Sequence, residues 1–149
     1  MKVLIIGGVA AGTKTAAKLK REDRSIEVTV ISRDQDISYA GCGLPYYVGG
    51  LIGERDELIV NTPQKYSGLT GVEVRTGKEA VALDAAKKEV TVKDVATGNT
   101  EVCPYDKLVI AVGASAAELP IEGKDLPGVF KMRTPDDAEG IRSYAEANH

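Results

Sequence analysis

The sequence predicts an α/β fold, a parallel sheet flanked by helices with a small antiparallel β element beside it. Three observations carry this prediction. A short apolar run, Lys2–Ile6, and a β-branched segment, residues 26–31, enclose a helix-length stretch, and together they have the size of one βαβ unit. A third buried-type run, residues 107–112, ends at Gly113. Between them lie shorter alternating segments broken by a turn signal at Thr97-Gly98-Asn99. One Phe and no Trp leave a core of Val, Ile, Leu and Ala, which suits a sheet covered by helices.

Composition narrows the function classes. The 149 residues suffice for one sizeable core, and 43% hydrophobic with 28% charged residues is the balance of a folded, soluble domain. A net charge of −3 gives no electrostatic footprint for nucleic acid. No apolar run approaches the roughly 20 residues that span a bilayer. The first strand follows Met1 directly, so no secretory leader is expected. Two cysteines far apart make neither a disulfide framework nor a metal site. A cytoplasmic protein with no metal, membrane or nucleic-acid partner is expected.

In order along the chain, Lys2–Ile6 (KVLII) is apolar almost without a break, as in a strand covered on both faces. It stops at Gly7-Gly8, and Ala10–Glu22 follows as a helix. Residues 26–31 (IEVTVI) are a second strand, parallel to the first through a right-handed crossover. Past Asp34 the regularity stops. Thr62 and Pro63 open a short helix as N-cap and first helical residue. Strands are expected at 72–75, 80–83 and 89–95, the last forming a hairpin with 101–103. After the strand at 107–112, Thr134 caps a final helix, with Pro135 first and Asp136 and Asp137 at its positive end. No stop signal closes that helix, so the chain is expected to be the first part of a longer protein.

Gly7-Gly8-Val9-Ala10-Ala11-Gly12 lies between a strand and a helix, the context that a dinucleotide-binding turn requires. Gly7 permits the tight turn, Gly12 lets the helix approach the strand, and in a dinucleotide site the amides at the helix start would face a pyrophosphate. Val9 takes the place of the middle glycine of G-x-G-x-x-G, so the match is partial. A glycine-eased strand–helix turn without a ligand is the competing reading. Where such folds carry a carboxylate for the adenosine ribose, this chain has Ser32, then Arg33, with Asp34 the nearest acid.

Cys42 stands between Gly41 and Gly43 at the start of an expected short helix, where unsatisfied N–H groups favour a thiolate. A buried cysteine acting as a small hydrophobe is the alternative, and the flanking glycines weigh against it. Cys103 falls in the expected hairpin and reads as structural.

The run Ser38-Tyr39-Ala40-Gly41-Cys42-Gly43-Leu44-Pro45-Tyr46, downstream of GGVAAG, resembles the single-cysteine pyridine nucleotide-disulfide oxidoreductases. That group includes coenzyme A-disulfide reductase, NADH-dependent persulfide or polysulfide reductases, NADH oxidase and NADH peroxidase. Leu108-Val109-Ile110-Ala111-Val112-Gly113-Ala114 is similar to the family's strand-then-glycine signature, and Leu119-Pro120 and the Pro135-Asp136-Asp137-Ala138 helix also fit. The resemblance therefore covers the whole chain. It implies a Rossmann-like FAD-binding domain, with Gly7, Val9, Ala10, Ala11 and Gly12 at the pyrophosphate and Ser32 and Arg33 near the adenosine. Val81, Ala111 and Gly113 are further implied cofactor positions. In such enzymes NAD(P)H reduces the flavin and electrons pass to the cysteine. Cys42 has no neighbouring cysteine, so the second sulfur comes from the substrate or Cys42 is itself oxidised.

Oxidases and peroxidases of the family place a histidine in the glycine turn; the matching residue here is Ala10, and the one histidine of the chain is His149. Gly43-Leu44-Pro45-Tyr46 resembles the coenzyme A-disulfide and persulfide reductases instead. Lys14, Lys18 and Arg21, at i, i+4 and i+7, share a helix face that suits the phosphates of coenzyme A. A solvated helix face looks the same. The resemblance adds Ser38 and Gly41 as substrate positions. The expected function is FAD-dependent, NAD(P)H-driven reduction of coenzyme A disulfide, persulfide or polysulfide at Cys42. An NADH oxidase of the same family and a nucleotide-sensing regulatory module are the alternatives. Residues 1–149 are expected to be the N-terminal part of the FAD/NAD(P)-binding region, with the NAD(P)H and dimerisation domains of a homodimer outside this chain.

Overall fold

In the computed structural model, which describes residues 1–148, β1 (Lys2–Ile6) is an inner strand of a four-stranded parallel sheet. The helix α1 (Ala10–Glu22) leads to β2 (Glu27–Ile31), and a later strand, β3 (Glu73–Arg75), extends the sheet beyond it. Three strands then form a separate antiparallel sheet: β4 (Lys78–Asp84), β5 (Glu89–Asp94) and β6 (Thr100–Pro104). The chain returns to the parallel sheet as β7 (Lys107–Ile110), on the far side of β1. The order β3-β2-β1-β7 thus reverses direction at β1. Ile6 is level with Ile31 on one side and Ile110 on the other, so three carboxyl ends finish together. Folds of this type bind ligands outside such an edge.

The described residues divide into two compact units. The first comprises Met1–Ser38 and Asn61–Gly113. On one face of its sheet, Val3, Ile5, Val28 and Val30 pack with Ala16 of α1 and with Tyr66 of a second helix, Pro63–Thr70. The Tyr66 hydroxyl donates to the Thr13 carbonyl and so ties the two helices together. On the other face, Leu4 and Ile31 pack against Val90, Val92 and Cys103 of the antiparallel sheet. Burial on both faces explains why β1 reads as an almost unbroken apolar run, while Glu27 and Thr29 of β2 lie outside its buried positions.

The second unit comprises Tyr39–Val60 and the residues from Ala114 onward. In chain order it contains a 3₁₀ turn (Gly41–Gly43), α2 (Leu44–Val48), a second 3₁₀ turn (Arg55–Leu58) and α4 (Pro135–Ala147), with α3 being the Pro63–Thr70 helix of the first unit. Leu44, Tyr47, Leu58 and Ala138 form its core. At the start of α4 the Thr134 hydroxyl accepts from the Asp137 amide while the Asp137 carboxylate accepts from the Thr134 amide, a reciprocal cap.

The expected elements are present, with differences at their ends. The strand expected at 107–112 stops at Ile110, because β1, the neighbour that pairs with it, turns away at Gly7. Ala111 makes one last ladder bond to the Ile6 carbonyl, at 2.8 Å. The strand expected at 80–83 runs from Lys78 to Asp84 and carries a bulge that leaves Val81 unpaired. Among the described residues no helix is long and apolar enough to cross a membrane.

Candidate functional site

The carboxyl edge of the parallel sheet is shaped by three glycines that do different things. Gly7 has φ +112°, a region L side chains rarely adopt, and a Cβ there would lie 2.1 Å from the Ala111 carbonyl oxygen. Gly12, on the first turn of α1, has its Cβ position 1.8 Å from the Gly7 carbonyl oxygen. Gly8 was not singled out by the sequence pattern, yet a Cβ there would stand 2.7 Å from Ile37 and 3.1 Å from Ser32 Cβ. Its carbonyl accepts from the Ser38 amide at 2.9 Å. The consecutive Gly-Gly was the available signal.

Helix α1 starts at this turn with Val9 as N-cap residue, no side-chain cap and no acidic residue in its first turn. The Thr13 hydroxyl points back to the carbonyls of Val9 and Ala10 instead of forward to an amide. The amide end of α1 is thus offered no side-chain acceptor, as a site for an anionic group requires. A glycine cradle that a Cβ would fill, beside an uncapped helix start at the sheet's reversal point, fits the pyrophosphate of a dinucleotide.

The other predicted cofactor positions lie on several elements. Ser32 is buried at the end of β2; its amide donates to the Arg75 carbonyl at 3.0 Å and its carbonyl accepts from the Lys78 amide at 2.9 Å. Arg33 is exposed and pairs with Asp34 at 3.3 Å. β4 therefore leaves from the end of β2, and the unpaired Val81 on it is 49% exposed. Ala111 abuts Gly7, and Gly113 turns the chain with φ +71°.

Of the predicted substrate positions, Lys14, Lys18 and Arg21 are all exposed on α1. Lys18 is paired with Glu22, so the stripe is already partly neutralised. Ser38 has φ +51°, and its hydroxyl is 3.4 Å from the Asn61 side-chain amide.

Cys42 belongs to the second unit and is exposed, whereas Cys103 is buried with Arg75 Nη1 at 3.6 Å from its sulfur. The two cysteines thus differ as expected. The Cys42 turn is closed by Gly43 N–H to Ala40 O at 2.9 Å, and Ala40 is anchored to the Leu58 carbonyl at 2.8 Å. Its glycines are not equivalent. A Cβ on Gly43 would press on Leu58 at 3.0 Å and Ile52 at 3.3 Å, whereas one on Gly41 would meet nothing within 4 Å. The helix expected after Cys42 is present but only five residues long.

A cavity of about 290 Å³ in the first unit, lined by Lys2, Glu27, Thr29, Glu73 and Arg75 among others, includes none of the predicted site residues. Among the described residues no group of three or more His, Cys, Asp or Glu is placed to hold a metal ion.

Residues 1–149 match the family described as pyridine nucleotide-disulphide oxidoreductase. The chain is 36% identical over 148 residues to the NADH oxidase of Methanocaldococcus jannaschii, covering 99% of this chain and 33% of that protein. It is 32% identical over 145 residues to the coenzyme A disulfide reductase of Staphylococcus haemolyticus, covering 97% of this chain and 32% of that one. Among solved structures it superposes on an NAD-dependent persulfide reductase from A. fulgidus with a TM-score of 0.92 at 37% identity, over 99% of this chain and 27% of the other. The chain thus spans about a third of the length of the curated relatives it matches.

Proposed function

The chain belongs to the pyridine nucleotide-disulphide oxidoreductase family, and from that premise we propose that it is the first part of a FAD-dependent enzyme that reduces coenzyme A disulfide, a persulfide or a polysulfide at Cys42. The observation that carries this reading is the exposure of Cys42 in a glycine-flanked turn, while the other cysteine is packed in a core. FAD would supply the relay of electrons from NAD(P)H to sulfur. Gly7, Val9, Ala10, Ala11 and Gly12 would hold its pyrophosphate, Ser32, Arg33 and Val81 its adenosine end, and Ala111 and Gly113 the opposite side of the turn. NAD(P)H-binding and dimerisation domains would complete the enzyme, a cytoplasmic homodimer.

In this reading the Cys42 thiolate attacks the substrate disulfide. A bond forms between Cys42 Sγ and one substrate sulfur, the substrate S–S bond breaks, and the other sulfur leaves as a thiolate that takes up a proton. Two electrons from NAD(P)H then cleave the mixed disulfide, releasing the second thiol and restoring Cys42. With a persulfide, attack on the inner sulfur releases the outer one as sulfide, and attack on the outer sulfur transfers it to Cys42 and releases the thiolate; in both cases two electrons then cleave the new S–S bond. Lys14 and Arg21, exposed on the same helix face as Lys18, which pairs with Glu22, suit the coenzyme A phosphates, with Ser38 and Gly41 as further substrate contacts.

The relationship to an NADH oxidase favours a second reading, in which Cys42 is cycled by oxygen chemistry. Ala10, which offers no titratable group in the glycine turn, supports the reductase. The full-length protein decides between them. NADH or NADPH consumption that requires coenzyme A disulfide or polysulfide is expected, and consumption driven by oxygen alone would overturn the reductase reading.

A further inference from the structure

Cys42 sits on a piece of chain that has little of its own to hold it. Its 3₁₀ turn is three residues long, α2 is five, and neither has a side-chain N-cap. A helix this short has no independent stability. Ahead of Cys42 the turn is tied to Leu58, and the anchor after it comes from α4. The Arg142 guanidinium lies 4.8 Å from the centroid of the Tyr47 ring. Its Nη1 donates to the Gly53 carbonyl at 2.9 Å, with the Ile52 and Tyr47 carbonyls at 3.3 and 3.4 Å. The Tyr47 carbonyl lies near the end of α2 and also accepts from the Gly50 amide at 3.1 Å, whereas the Ile52 and Gly53 carbonyls belong to the chain just beyond the helix. Nε donates to Glu146 at 3.1 Å, which fixes the rotation of the planar group.

Both of the segments that Arg142 grips reach the cysteine turn. Tyr47 is buried with Leu44, the residue that follows Gly43. Ile52 places its Cδ1 3.3 Å from the Cβ position of Gly43. One guanidinium therefore bears on Ile52, one of the two side chains beside Gly43, and through Tyr47 on the helix that begins at Leu44, while Leu58 closes the other side of Gly43.

We propose that Arg142 is a positioning residue for Cys42: by clamping α2 and the chain after it to α4, it sets where the sulfur stands. The proposal rests on the reading of Cys42 as the redox sulfur. R142M keeps the stem but removes the fork, and R142K keeps a charge that can serve one carbonyl without lying flat on Tyr47.

The test uses the full-length protein loaded with FAD, in single-turnover experiments that separate flavin reduction by NAD(P)H from reoxidation by coenzyme A disulfide. In R142M, FAD content and flavin reduction are expected to stay within about twofold of wild type, while reoxidation slows about tenfold or more, as misplacement of a reacting group does. R142K is expected to recover part of that loss. Reoxidation at the wild-type rate in R142M, or a parallel fall of both half-reactions, overturns the proposal. Should R142M fail to fold, R142K decides alone: selective slowing of reoxidation supports the positioning role, and wild-type reoxidation overturns it. C42S is measured in parallel. If C42S still reduces disulfide, the Cys42 reading itself has failed; if C42S is inactive and R142M is not impaired, only the role of Arg142 has.

Discussion

The Cβ position of Gly12 falls 1.8 Å from the carbonyl oxygen of Gly7, so α1 is seated on the end of β1 at a distance that only glycine permits. The contact is backbone to backbone, and no rotamer change can relieve it. It sets the start of α1 against the carboxyl edge where β1, β2 and β7 finish level.

Replacement of Gly12 by valine in the full-length protein is therefore expected to push α1 off the sheet and abolish FAD binding, read from the flavin absorbance of the purified protein. Gly7→Ala should have the same effect for a second reason, its φ of +112°. Flavin retained at wild-type stoichiometry in Gly12→Val would remove this turn from the cofactor site.

The two glycines beside Cys42 should respond differently. Gly43→Ala must displace Leu58 or Ile52 and is expected to lower stability by about 1–3 kcal/mol, the usual cost of overpacking. Gly41→Ala meets nothing within 4 Å and should change stability by no more than about 0.5 kcal/mol. If the space beside Gly41 is for substrate, Gly41→Ala raises KM for the disulfide and leaves flavin reduction by NAD(P)H unchanged. An unchanged KM would make that glycine irrelevant to binding.

The antiparallel sheet carries a charged network whose acid dependence follows from its geometry. Asp94 accepts from Lys78 at 2.8 Å and from the amide and hydroxyl of Thr97, and these bonds hold its carboxyl well below the ordinary value of 3.8. A carboxylate lowered in the folded state stabilises it above its unfolded pKa, and the effect fades as pH falls from about 4 toward the folded value. The thermal midpoint should drop on acidification through that window, and Asp94→Asn should flatten the dependence. Equal acid sensitivity in the variant would place the titrating group elsewhere.

Much of the first unit was legible because its signals are local. The apolar run of β1, the β-branched β2, the cap at Thr62 and the glycine pattern each act within a few residues, as does the Thr134 cap in the second unit. What sequence left open depends on partners far along the chain. Residues 72–75 read as a strand, but only the structure shows that β3 extends the parallel sheet beyond β2. Gly8 owes its necessity to Ile37 and Ser32, which no short motif announces. Arg142 has the sequence surroundings of a solvated helix residue. Its importance to the Cys42 segment comes from carbonyls that are distant in sequence, at Tyr47, Ile52 and Gly53.

The cationic stripe on α1 can be separated from a solvated face by kinetics. Lys14→Ala and Arg21→Ala should each raise KM for coenzyme A disulfide about threefold to tenfold, the scale of one charge-assisted phosphate contact. Polysulfide, which has no phosphates, should be reduced as before. Lys18→Ala should matter less, since Glu22 already occupies its charge. A KM for coenzyme A disulfide that stays at the wild-type value in all three variants would leave the stripe without a role in binding.

The functional reading stands or falls on Cys42. In the full-length protein Cys42→Ser keeps the glycine turn and α1 untouched, so FAD should bind and NAD(P)H should still reduce it. The serine hydroxyl is a poor nucleophile toward disulfide sulfur, and disulfide reduction should fall by about a thousandfold or more, the range for loss of a covalent nucleophile. Cys103→Ser is the control. Its sulfur is buried with Leu4, Val90 and Val92, so a hydroxyl there should cost about 1–2 kcal/mol of stability and leave turnover nearly intact. The pair of variants distinguishes chemistry from packing, because one residue is exposed in an open turn and the other lies in a core. Disulfide reduction at the wild-type rate by Cys42→Ser would show that the sulfur proposed to carry the reaction does not.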